Sequence, residues 1–499
     1  MADDVRNAEG EGVVIDPAAQ DRATILLRLA ANSAVQIAGS AAASAIAFFT
    51  FVAATRGLGP VVYGEYVAAT VFLFIPVVLS DLGLSTVVLR QISAAPDRTQ
   101  DVIRASLPLR TLVSLAAISI VVGLGLVLPF SDRTRIAILI GAVGAFATMI
   151  DVAILPVLQA QLRMQWAVAG NLAGRLVTLG LTVAAIEGGH GIAGVAWANT
   201  IGLCLTLGTH VLAVGRIVRL RPVIDVEYWR GLLRDSLVLG LALGLGQVYF
   251  RIDSLLLAFV RPELEVGLYG AAYKFVELAE LVMYAIVLSV FPALTRFVTT
   301  RDPRTGGLLQ RGFDVMLAAA APVAVVMLTL PSELLRATAG SRYEGAATAL
   351  QILAVYPVFA FVNGLFARVL VAADRDRDLL RITATVLTLN VAANVALLPR
   401  YGFEAAAAIA IVTEMIALAM LVLAVRATVG TLPNLRYALV VALAASVMAA
   451  TTRFVEPAAI AGVLGAAVYG TVLIALPGTG REIAVRLARG ARRPARARR

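Results

Sequence analysis

Apolar stretches long enough to cross a lipid bilayer recur along the whole chain, separated by short breaks that carry charge. A transmembrane helix needs about 20 predominantly apolar residues. Two stretches, 266–298 and 346–372, are longer than a bilayer requires, so we expect these helices to tilt or to extend beyond it. The pattern predicts fourteen membrane-spanning helices, at 28–55, 61–88, 107–129, 135–158, 167–187, 191–214, 233–260, 266–298, 313–331, 346–372, 379–398, 403–425, 436–453 and 457–476.

The basic residues alternate with these helices. If residue 1 lies in the cytoplasm, 30 of the 42 basic residues fall in cytoplasmic breaks and tails, 8 in outer breaks and 4 within helices. Basic residues are retained on the cytoplasmic side of membrane proteins, and a missed helix would destroy the alternation. The sequence therefore predicts a multi-pass protein of the cytoplasmic (inner) membrane with both termini in the cytoplasm.

Composition agrees with a membrane chain. Of the 499 residues, 60% are hydrophobic and 15% are charged, and the mean hydropathy is +0.87. A soluble protein of this length needs more polar surface to cover its core. The net charge of +10 lies in the breaks, so we interpret it as topological and expect no nucleic-acid partner. The single cysteine, Cys204, lies in an apolar stretch and is expected to be a small buried residue.

Two segments of the first half recur in the second half at an offset of about 205 to 210 residues. Residues 56–66 (RGLGPVVYGEY) match 261–270 (RPELEVGLYG), and residues 188–196 match 401–408. Parallel repeats of this kind are a transporter architecture with the substrate path between the halves. We therefore expect an all-α integral membrane protein of two parallel six-helix repeats with two additional C-terminal helices. The expected divisions are a cytoplasmic N-terminal tail (1–27), an N-lobe of helices 1–6 (28–215), a cytoplasmic linker (216–232), a C-lobe of helices 7–12 (233–425), helices 13–14 (426–480) and a basic cytoplasmic tail (481–499).

Several short motifs follow one another along nearly the whole chain. They are Arg56-Gly-Leu-Gly-Pro with Tyr63-Gly64, Ser80-Asp81-Leu82-Gly83-Leu84, Arg251-x-Asp253, Val266-Gly267-x-Tyr269, Phe291-Pro-Ala-Leu, and Asn390-x-x-x-Asn394 before Pro399. In order and spacing they resemble the polysaccharide-transporter branch of the multidrug/oligosaccharidyl-lipid/polysaccharide (MOP) superfamily, which contains O-antigen, capsule and exopolysaccharide flippases.

This resemblance implies a V-shaped pair of six-helix lobes that works by alternating access. It implies a role in surface polysaccharide or lipopolysaccharide biosynthesis, with an undecaprenyl-pyrophosphate-linked oligosaccharide moved from the cytoplasmic to the outer leaflet. Polysaccharide polymerase machinery is an implied partner besides the substrate and the bilayer. The arginine-rich first helix of the peptidoglycan-precursor branch is not found in the sequence.

Ionisable side chains inside a bilayer are costly unless they face a wet cavity or a partner, so each is a candidate site residue. A pyrophosphate needs cations, and arginine binds phosphate with two parallel hydrogen bonds. The expected substrate-binding residues are Arg175, Arg251, Lys274, Gln247 and Asn390, and the coupling-ion candidates are Glu414, Asp253 and Glu280.

Other interpretations of these residues remain open. Arg251 and Lys274 lie near three carboxylates, Asp253, Glu277 and Glu280, so they also fit an ion-pair network that holds helices 7 and 8 together. Arg175 also fits a pair with Asp151, or a side chain that extends towards the cytoplasm. Asn390 also fits a hydrogen bond to a neighbouring helix.

Three functions remain open at this point. The first is a lipid-linked oligosaccharide flippase, the second an ion-coupled antiporter of small cationic compounds, and the third a membrane polymerase or ligase of glycan assembly. A phosphate substrate favours a positive cavity and a cationic drug an acidic one. The chain has two histidines and no sequence motif for a metal, a nucleotide or a catalytic triad, so we expect neither an enzyme nor a cofactor or metal.

Overall fold

The structure, a computed structural model, describes the backbone of residues 17–476 and the side chains of residues 35–476 except 238, 239, 242, 243 and 459. All regular elements in this part of the chain are helices, which confirms the predicted all-α class. The predicted basic tail (481–499) and the first sixteen residues of the predicted N-terminal tail lie outside the described residues. The α-helices are α1 (Pro17–Asp81), α2 (Leu84–Ala94), α3 (Thr99–Val127), α4 (Asp132–Ala160), α5 (Met164–Glu187), α6 (Gly191–Gly215), α7 (Val226–Val260), α8 (Glu263–Thr299), α9 (Thr305–Thr329), α10 (Pro331–Thr338), α11 (Ala347–Leu353), α12 (Tyr356–Ala372), α13 (Asp376–Val429), α14 (Arg436–Phe454) and α15 (Ala458–Ala475).

Two of these helices contain a reversal of the chain. In α1, Gly59 has φ 75° and ψ 169°, and in α13, Gly402 has φ 63° and ψ −153°, backbone angles that are essentially restricted to glycine. The rings of Phe51 and Tyr63, on either side of Gly59, have centroids 6.0 Å apart. Twelve residues of straight helix would separate them by about 18 Å. The chain therefore folds back at Gly59.

The chain also folds back within α13, because Nδ2 of Asn390 lies 3.4 Å from Oγ1 of Thr413 across 23 residues.

Nine helices of the described chain are long and apolar enough to span a membrane. Counting α1 and α13 twice and adding the bent pair of Ser341–Leu353 with α12 gives twelve within the described residues. The helix α7, of 35 residues, and the shorter apolar helix α15 bring the number to about fourteen, close to the number of predicted helices.

Two predicted helices are interrupted. The long stretch 346–372 is not one tilted helix but two segments bent by 48°, because Pro357 lies in the first turn of α12 and cannot donate a backbone hydrogen bond to the preceding turn. The predicted helix 61–88 breaks at Leu82 and Gly83, which have φ values of 36° and 76°. Cys204 is exposed on α6, so the expectation that it is buried was wrong.

The turn between α1 and α2 is held by Arg110 of α3, which is buried. Its Nη1 donates to the carbonyl oxygen of Ser80 at 2.6 Å and to Asp81 at 2.8 Å, and its Nε donates to the carbonyl oxygen of Met149 at 3.3 Å. Asp81 in turn accepts hydrogen bonds from Ser85 in α2. One guanidinium therefore ties α1, α3 and α4 together at the Ser80-Asp81-Leu82-Gly83 motif.

The helices form two packed groups, an N-lobe of α1–α6 and a C-lobe of α7–α13, with α14 and α15 packed against α9. We call the end of the bundle that carries the connection from α6 to α7 the linker end, and the opposite end, with Gly59 and Gly402, the kink end. The linker helix α7 begins at Val226, earlier than predicted, because Asp225 caps it by accepting from the backbone N–H of Tyr228. The six-part division of the chain stays a prediction.

At the kink end the two lobes touch through backbone, and the contact is reciprocal. A methyl group built on Gly64 would overlap the carbonyl oxygen of Glu263, and one built on Gly267 would overlap the carbonyl oxygen of Pro60. Reciprocal contacts are the signature of a two-fold axis. The equivalent residues are therefore 203 apart, both for 64 and 267 and for 60 and 263. This offset is close to the 205 suggested by the motifs.

At the linker end a second contact joins the lobes. A methyl group built on Gly240 of α7 would overlap the carbonyl oxygen of Leu82 in the turn between α1 and α2. Only glycine lets the two backbones approach this closely. The lobes of this structure are thus in contact at both ends.

Candidate functional site

Arg251 of α7 and Lys274 of α8 share one carboxylate, that of Glu277 in α8. Nη1 of Arg251 lies 2.5 Å from Oε1 of Glu277, and Nζ of Lys274 lies 2.7 Å from Oε2. The side chains are 33%, 24% and 19% exposed, respectively, so the cations remain partly accessible. The structure therefore brings together Arg251 and Lys274, two of the expected substrate-binding residues. We call Arg251, Lys274 and Glu277 the charged triad.

Aromatic rings of the N-lobe cover this triad. The guanidinium of Arg251 lies 5.8 Å from the ring centroid of Phe74 in α1, and 5.5 Å from that of Phe250 in its own helix. Nζ of Lys274 lies 6.0 Å from the centroid of Phe51, also in α1. These are cation–π distances, and each is worth about 0.5–1 kcal/mol at a partly exposed site. The triad thus lies between the lobes, in contact with both.

The triad carries a net charge of +1, since the other two nearby carboxylates point elsewhere. Asp253 bonds Nδ2 of Asn394 at 2.7 Å, and Glu280 lines a cavity within the C-lobe. The sequence alone grouped three carboxylates with two cations. The structure leaves one carboxylate with them, and a site with excess positive charge can bind an anion such as a phosphate.

Polar side chains form a connected chain inside the C-lobe. They join α7, α12 and both halves of α13, and every member except Tyr249 is less than 10% exposed. Tyr249 donates to Glu414 at 2.9 Å, Asn363 donates to Glu414 at 2.6 Å, and Asn394 donates to both Asp253 and Asn390. The members are Asp253, Asn394, Asn390, Thr413, Tyr249, Glu414 and Asn363.

This chain of polar groups lacks a basic partner. Among the described residues, no Lys or Arg forms an ion pair with Asp253, Glu280 or Glu414. Glu280 and Glu414 line a cavity of about 340 Å³, together with Tyr249, Tyr356 and apolar residues of α12 and α13. Buried carboxylates without a cation are costly when charged, so this region favours a bound cation or a proton. All three coupling-ion candidates from the sequence lie in this part of the fold.

The other expected site residues have different surroundings. Arg175 is exposed in the middle of α5, donates from Nε to Asn171 at 2.9 Å and does not pair with Asp151, so that alternative was wrong. Gln247 is exposed one turn from Arg251. Asn390 is fully buried in the C-lobe chain of polar groups, which excludes direct substrate contact in this conformation.

The sequence analysis did not identify three aromatic side chains of these sites: Phe51 and Phe74 beside the charged triad, and Tyr249 in the C-lobe chain of polar groups. Phe51 and Phe74 come from the other repeat, and their contact with the triad depends on how the lobes meet. Tyr249 lies four residues before Asp253, on the same face of α7, so the helical spacing could have identified it. Within the described residues no group of three or more His, Cys, Asp and Glu side chains is placed to hold a metal ion.

Residues 29–298, more than half of the chain, match the profile of the polysaccharide biosynthesis protein family. The chain belongs to this family. A search among curated proteins finds no match. The family match covers α1 to α8, including the charged triad, and it agrees with the resemblance deduced from the motifs.

Solved structures place this family member in a transporter fold. The lipid II flippase MurJ in an inward closed conformation matches with a TM-score of 0.74 at 14% identity, over 88% of this chain and 98% of that chain. An inward-facing multidrug resistance MATE transporter of the MOP superfamily matches with a TM-score of 0.63 at 15% identity, over 78% of this chain and 94% of that chain. A MOP superfamily transporter from Pyrococcus furiosus, described by a reverse polarity of its binding pocket, matches with a TM-score of 0.57 at 15% identity, over 81% of this chain and 95% of that chain. At these identities the likeness shows the fold, that of multi-pass membrane transporters and flippases.

Proposed function

We propose that this protein is a flippase that moves an undecaprenyl-pyrophosphate-linked oligosaccharide from the cytoplasmic to the outer leaflet for surface polysaccharide biosynthesis. The observation that carries the proposal is the charged triad between the lobes. Its net positive charge suits a pyrophosphate, and its position between two lobes suits a substrate that passes from one side to the other. The family match supplies the glycan context.

The orientation in this proposal follows from the basic residues. The linker end carries Arg219 and Arg221, whose backbone groups bond Gln100 and Arg104 of α3. With the linker end in the cytoplasm of the inner membrane, both termini lie there too, as the distribution of basic residues predicts. The substrate then enters from the linker end and leaves at the kink end.

An ion gradient coupled through the C-lobe carboxylates is one source of energy for the proposed transport. A cation or proton bound near Asp253, Glu280 and Glu414 would neutralise buried charge, so its binding and release would change the energy of the C-lobe. Downstream consumption of the glycan is the other source of directionality. No cofactor is part of this proposal, and the polymerase machinery is a proposed partner that would take up the product.

The test uses a bacterial strain that lacks this protein and is complemented with variants. The measurements are the surface polysaccharide and the leaflet in which lipid-linked oligosaccharide accumulates. We expect the deletion strain to lose the glycan with intermediate trapped in the inner leaflet. Wild type and Arg453→Ala, which changes an exposed arginine at the end of α14, should restore it, and Arg251→Ala should not.

A charge swap separates substrate binding from a structural clamp. Arg251→Glu combined with Glu277→Arg keeps an ion pair between α7 and α8 and moves the guanidinium to the other helix. If the pair only holds the helices together, the swap restores transport that Arg251→Ala loses. If the guanidinium at position 251 binds pyrophosphate, the swap restores thermal stability but not transport.

A second candidate function rests on the acidic cavity of the C-lobe. Glu280 and Glu414 line a volume of about 340 Å³ that could accept a small organic cation, which favours an antiporter. Intact surface glycan in the deletion strain, together with new sensitivity to cationic compounds, would favour that function. Lost glycan with single repeat units already in the outer leaflet would instead favour a polymerase or ligase.

A further inference from the structure

A buried histidine in the N-lobe is held by two hydrogen-bond acceptors. Nδ1 of His210 in α6 lies 2.6 Å from Oδ1 of Asp151 in α4, and Nε2 lies 3.0 Å from the carbonyl oxygen of Ala167 in α5. The His210 side chain is 3% exposed and that of Asp151 16% exposed. The imidazole therefore connects three helices of the lobe, and the proposed site between the lobes makes no use of it.

The number of protons in this arrangement follows from a count of the hydrogen-bond donors and acceptors around the ring. A neutral imidazole has one N–H donor and one bare nitrogen, whereas an imidazolium has two donors. A backbone carbonyl can only accept, and so can an ionised carboxylate. With a neutral ring and an ionised Asp151, one ring nitrogen would therefore face an acceptor with no proton between them. The observed geometry needs one additional proton, and the more exposed Asp151 is the group that keeps its charge.

The ring lies where α5 and α6 are closely packed. A methyl group built on Gly170 of α5 would overlap both His210 and Thr209, so the absence of a side chain there makes room for the imidazole. Next to it, α5 and α6 touch backbone to backbone, because methyl groups on Gly174 and Gly202 would each overlap the facing helix. The buried ring thus occupies the space beside Gly170, next to the close contact of α5 with α6.

Asp151 is the titratable side chain that contacts His210 among the described residues. The charged groups on the neighbouring elements are engaged elsewhere or lie at helix ends. On α5, Arg175 bonds Asn171, Arg163 precedes the helix and Glu187 is its last residue. On α1, Asp81 pairs with Arg110, Glu65 bonds Ser131 and Arg56 bonds backbone carbonyls of α10. Arg216 at the end of α6 stacks on Trp166, and Asp132, Arg133 and Arg135 lie in the first turn of α4.

We propose that His210 and Asp151 form a proton-binding site of the N-lobe that takes up and releases one proton during the transport cycle. This inference rests on the proposed function and adds to it a second ion site, apart from the carboxylates of the C-lobe. Release of the proton leaves an ionised carboxylate and a ring with one donor, so one of the two bonds that hold α6 is lost. His210 lies five residues before the end of α6, roughly 8 Å from the linker that joins the lobes. A change in α6 is therefore passed to the segment that connects the two halves.

The first test measures the protons on the ring and needs no substrate. The chain has two histidines, so His190→Gln leaves His210 as the single imidazole for nitrogen-15 labelling of the full-length protein. We expect nuclear magnetic resonance to show both ring nitrogens protonated at neutral pH, and one proton lost as the pH is raised. A ring with one protonated nitrogen throughout the neutral range would overturn the proposal.

The variant Asp151→Asn gives the matched comparison. The asparagine amide donates to Nδ1 while Nε2–H still donates to Ala167, so both bonds form with a neutral ring and no additional proton. We expect wild type to lose thermal stability as the pH is raised and the proton is released. Asp151→Asn should match the wild-type stability at neutral pH, show one protonated ring nitrogen and lack this pH dependence. Asp151→Ala, which leaves Nδ1 without a partner, should be less stable.

The second test measures transport in vesicles containing undecaprenyl-pyrophosphate-linked oligosaccharide, with and without a pH gradient. We expect the gradient to accelerate transport by wild type and by His190→Gln, and to have no effect on Asp151→Asn. An equal response of Asp151→Asn and wild type would make the pair a permanent structural bond and overturn the proposal. Failure of wild type to move the lipid would count against the proposed function, and the ring measurement would still decide the proton site.

Discussion

Replacing Gly267 by alanine should weaken the contact between the lobes at the kink end. The added methyl group would overlap the carbonyl oxygen of Pro60 and lie 3.0 Å from the backbone nitrogen of Gly64. Both neighbours are backbone atoms within helical segments and cannot rotate aside. Overpacking typically costs about 1–3 kcal/mol. We expect the upper part of that range, about 3 kcal/mol, which shifts the population away from this contact about 100-fold.

The assay detects separation of α1 from α8 by the accessibility of a buried position. Cys204 is replaced by serine, and Ala68, which is 2% exposed and one turn from Gly64, is replaced by cysteine as the reporter. The labelling rate with a membrane-impermeant maleimide then measures how often the kink end opens. We expect Gly267→Ala to increase this rate by up to about 100-fold.

Gly270→Ala is the matched control on the same helix. Its methyl group would lie 3.1 Å from Cγ2 of Val67, a side-chain atom that can yield by a few tenths of an ångström. We expect little change in labelling. If Gly267→Ala labels at the wild-type rate, the backbones of Gly64 and Gly267 do not touch in the dominant state. If both variants label rapidly, the helices are destabilised in general, and the argument from this contact is refuted.

Three further predictions concern other parts of the fold. Arg110→Met removes the guanidinium that bonds Ser80, so we expect a loss of about 3 kcal/mol and a lower midpoint in thermal unfolding; an unchanged midpoint would contradict its structural role. Gly59→Ala should cost about 1–3 kcal/mol and reduce the folded yield, whereas Gly180→Ala, which meets nothing within 4 Å, should not. Glu414→Gln keeps its hydrogen-bond partners but removes a buried charge, so we expect unchanged or higher thermal stability and transport that no longer responds to an ion gradient; a retained response would remove Glu414 from the coupling site.

The sequence predicted the membrane-spanning helices well, because each apolar stretch is long and its ends are marked by charge. It predicted the proximity of Arg251 and Lys274 because both positions can be measured along helices that join at one loop. The reversals at Gly59 and Gly402 also agree with breaks between predicted helices. The depth of a residue in the membrane depends on its distance from the ends of its own apolar stretch, so it can be estimated from the sequence.

Contacts between distant parts of the chain were not predictable in the same way. The sequence grouped Asp253 and Glu280 with the triad because they are near it along the chain, but their side chains point into the C-lobe. Asp151 was considered a partner for Arg175, yet its partner is His210, 59 residues further along. Which face of a helix meets which neighbour depends on the packing of six helices, and spacing along one helix does not determine it.

The reciprocal contact of the glycines at the kink end relates the two repeats by a two-fold axis, but equivalent positions of the repeats carry different side chains. With an offset of 203, the counterpart of Glu277 in the first repeat is Phe74, and the counterpart of Lys274 is Val71. Phe74 and Glu277 therefore occupy equivalent positions and both contact Arg251, one with its ring and the other with its carboxylate. If the lobes rock apart as the proposed flippase cycle requires, Glu277 stays beside Arg251 at the junction of α7 and α8, whereas Phe74 moves away with the N-lobe. The side of Arg251 that Phe74 covers in this structure would then be the side that opens to the proposed substrate, and Phe74→Ala should expose that guanidinium without breaking its ion pair.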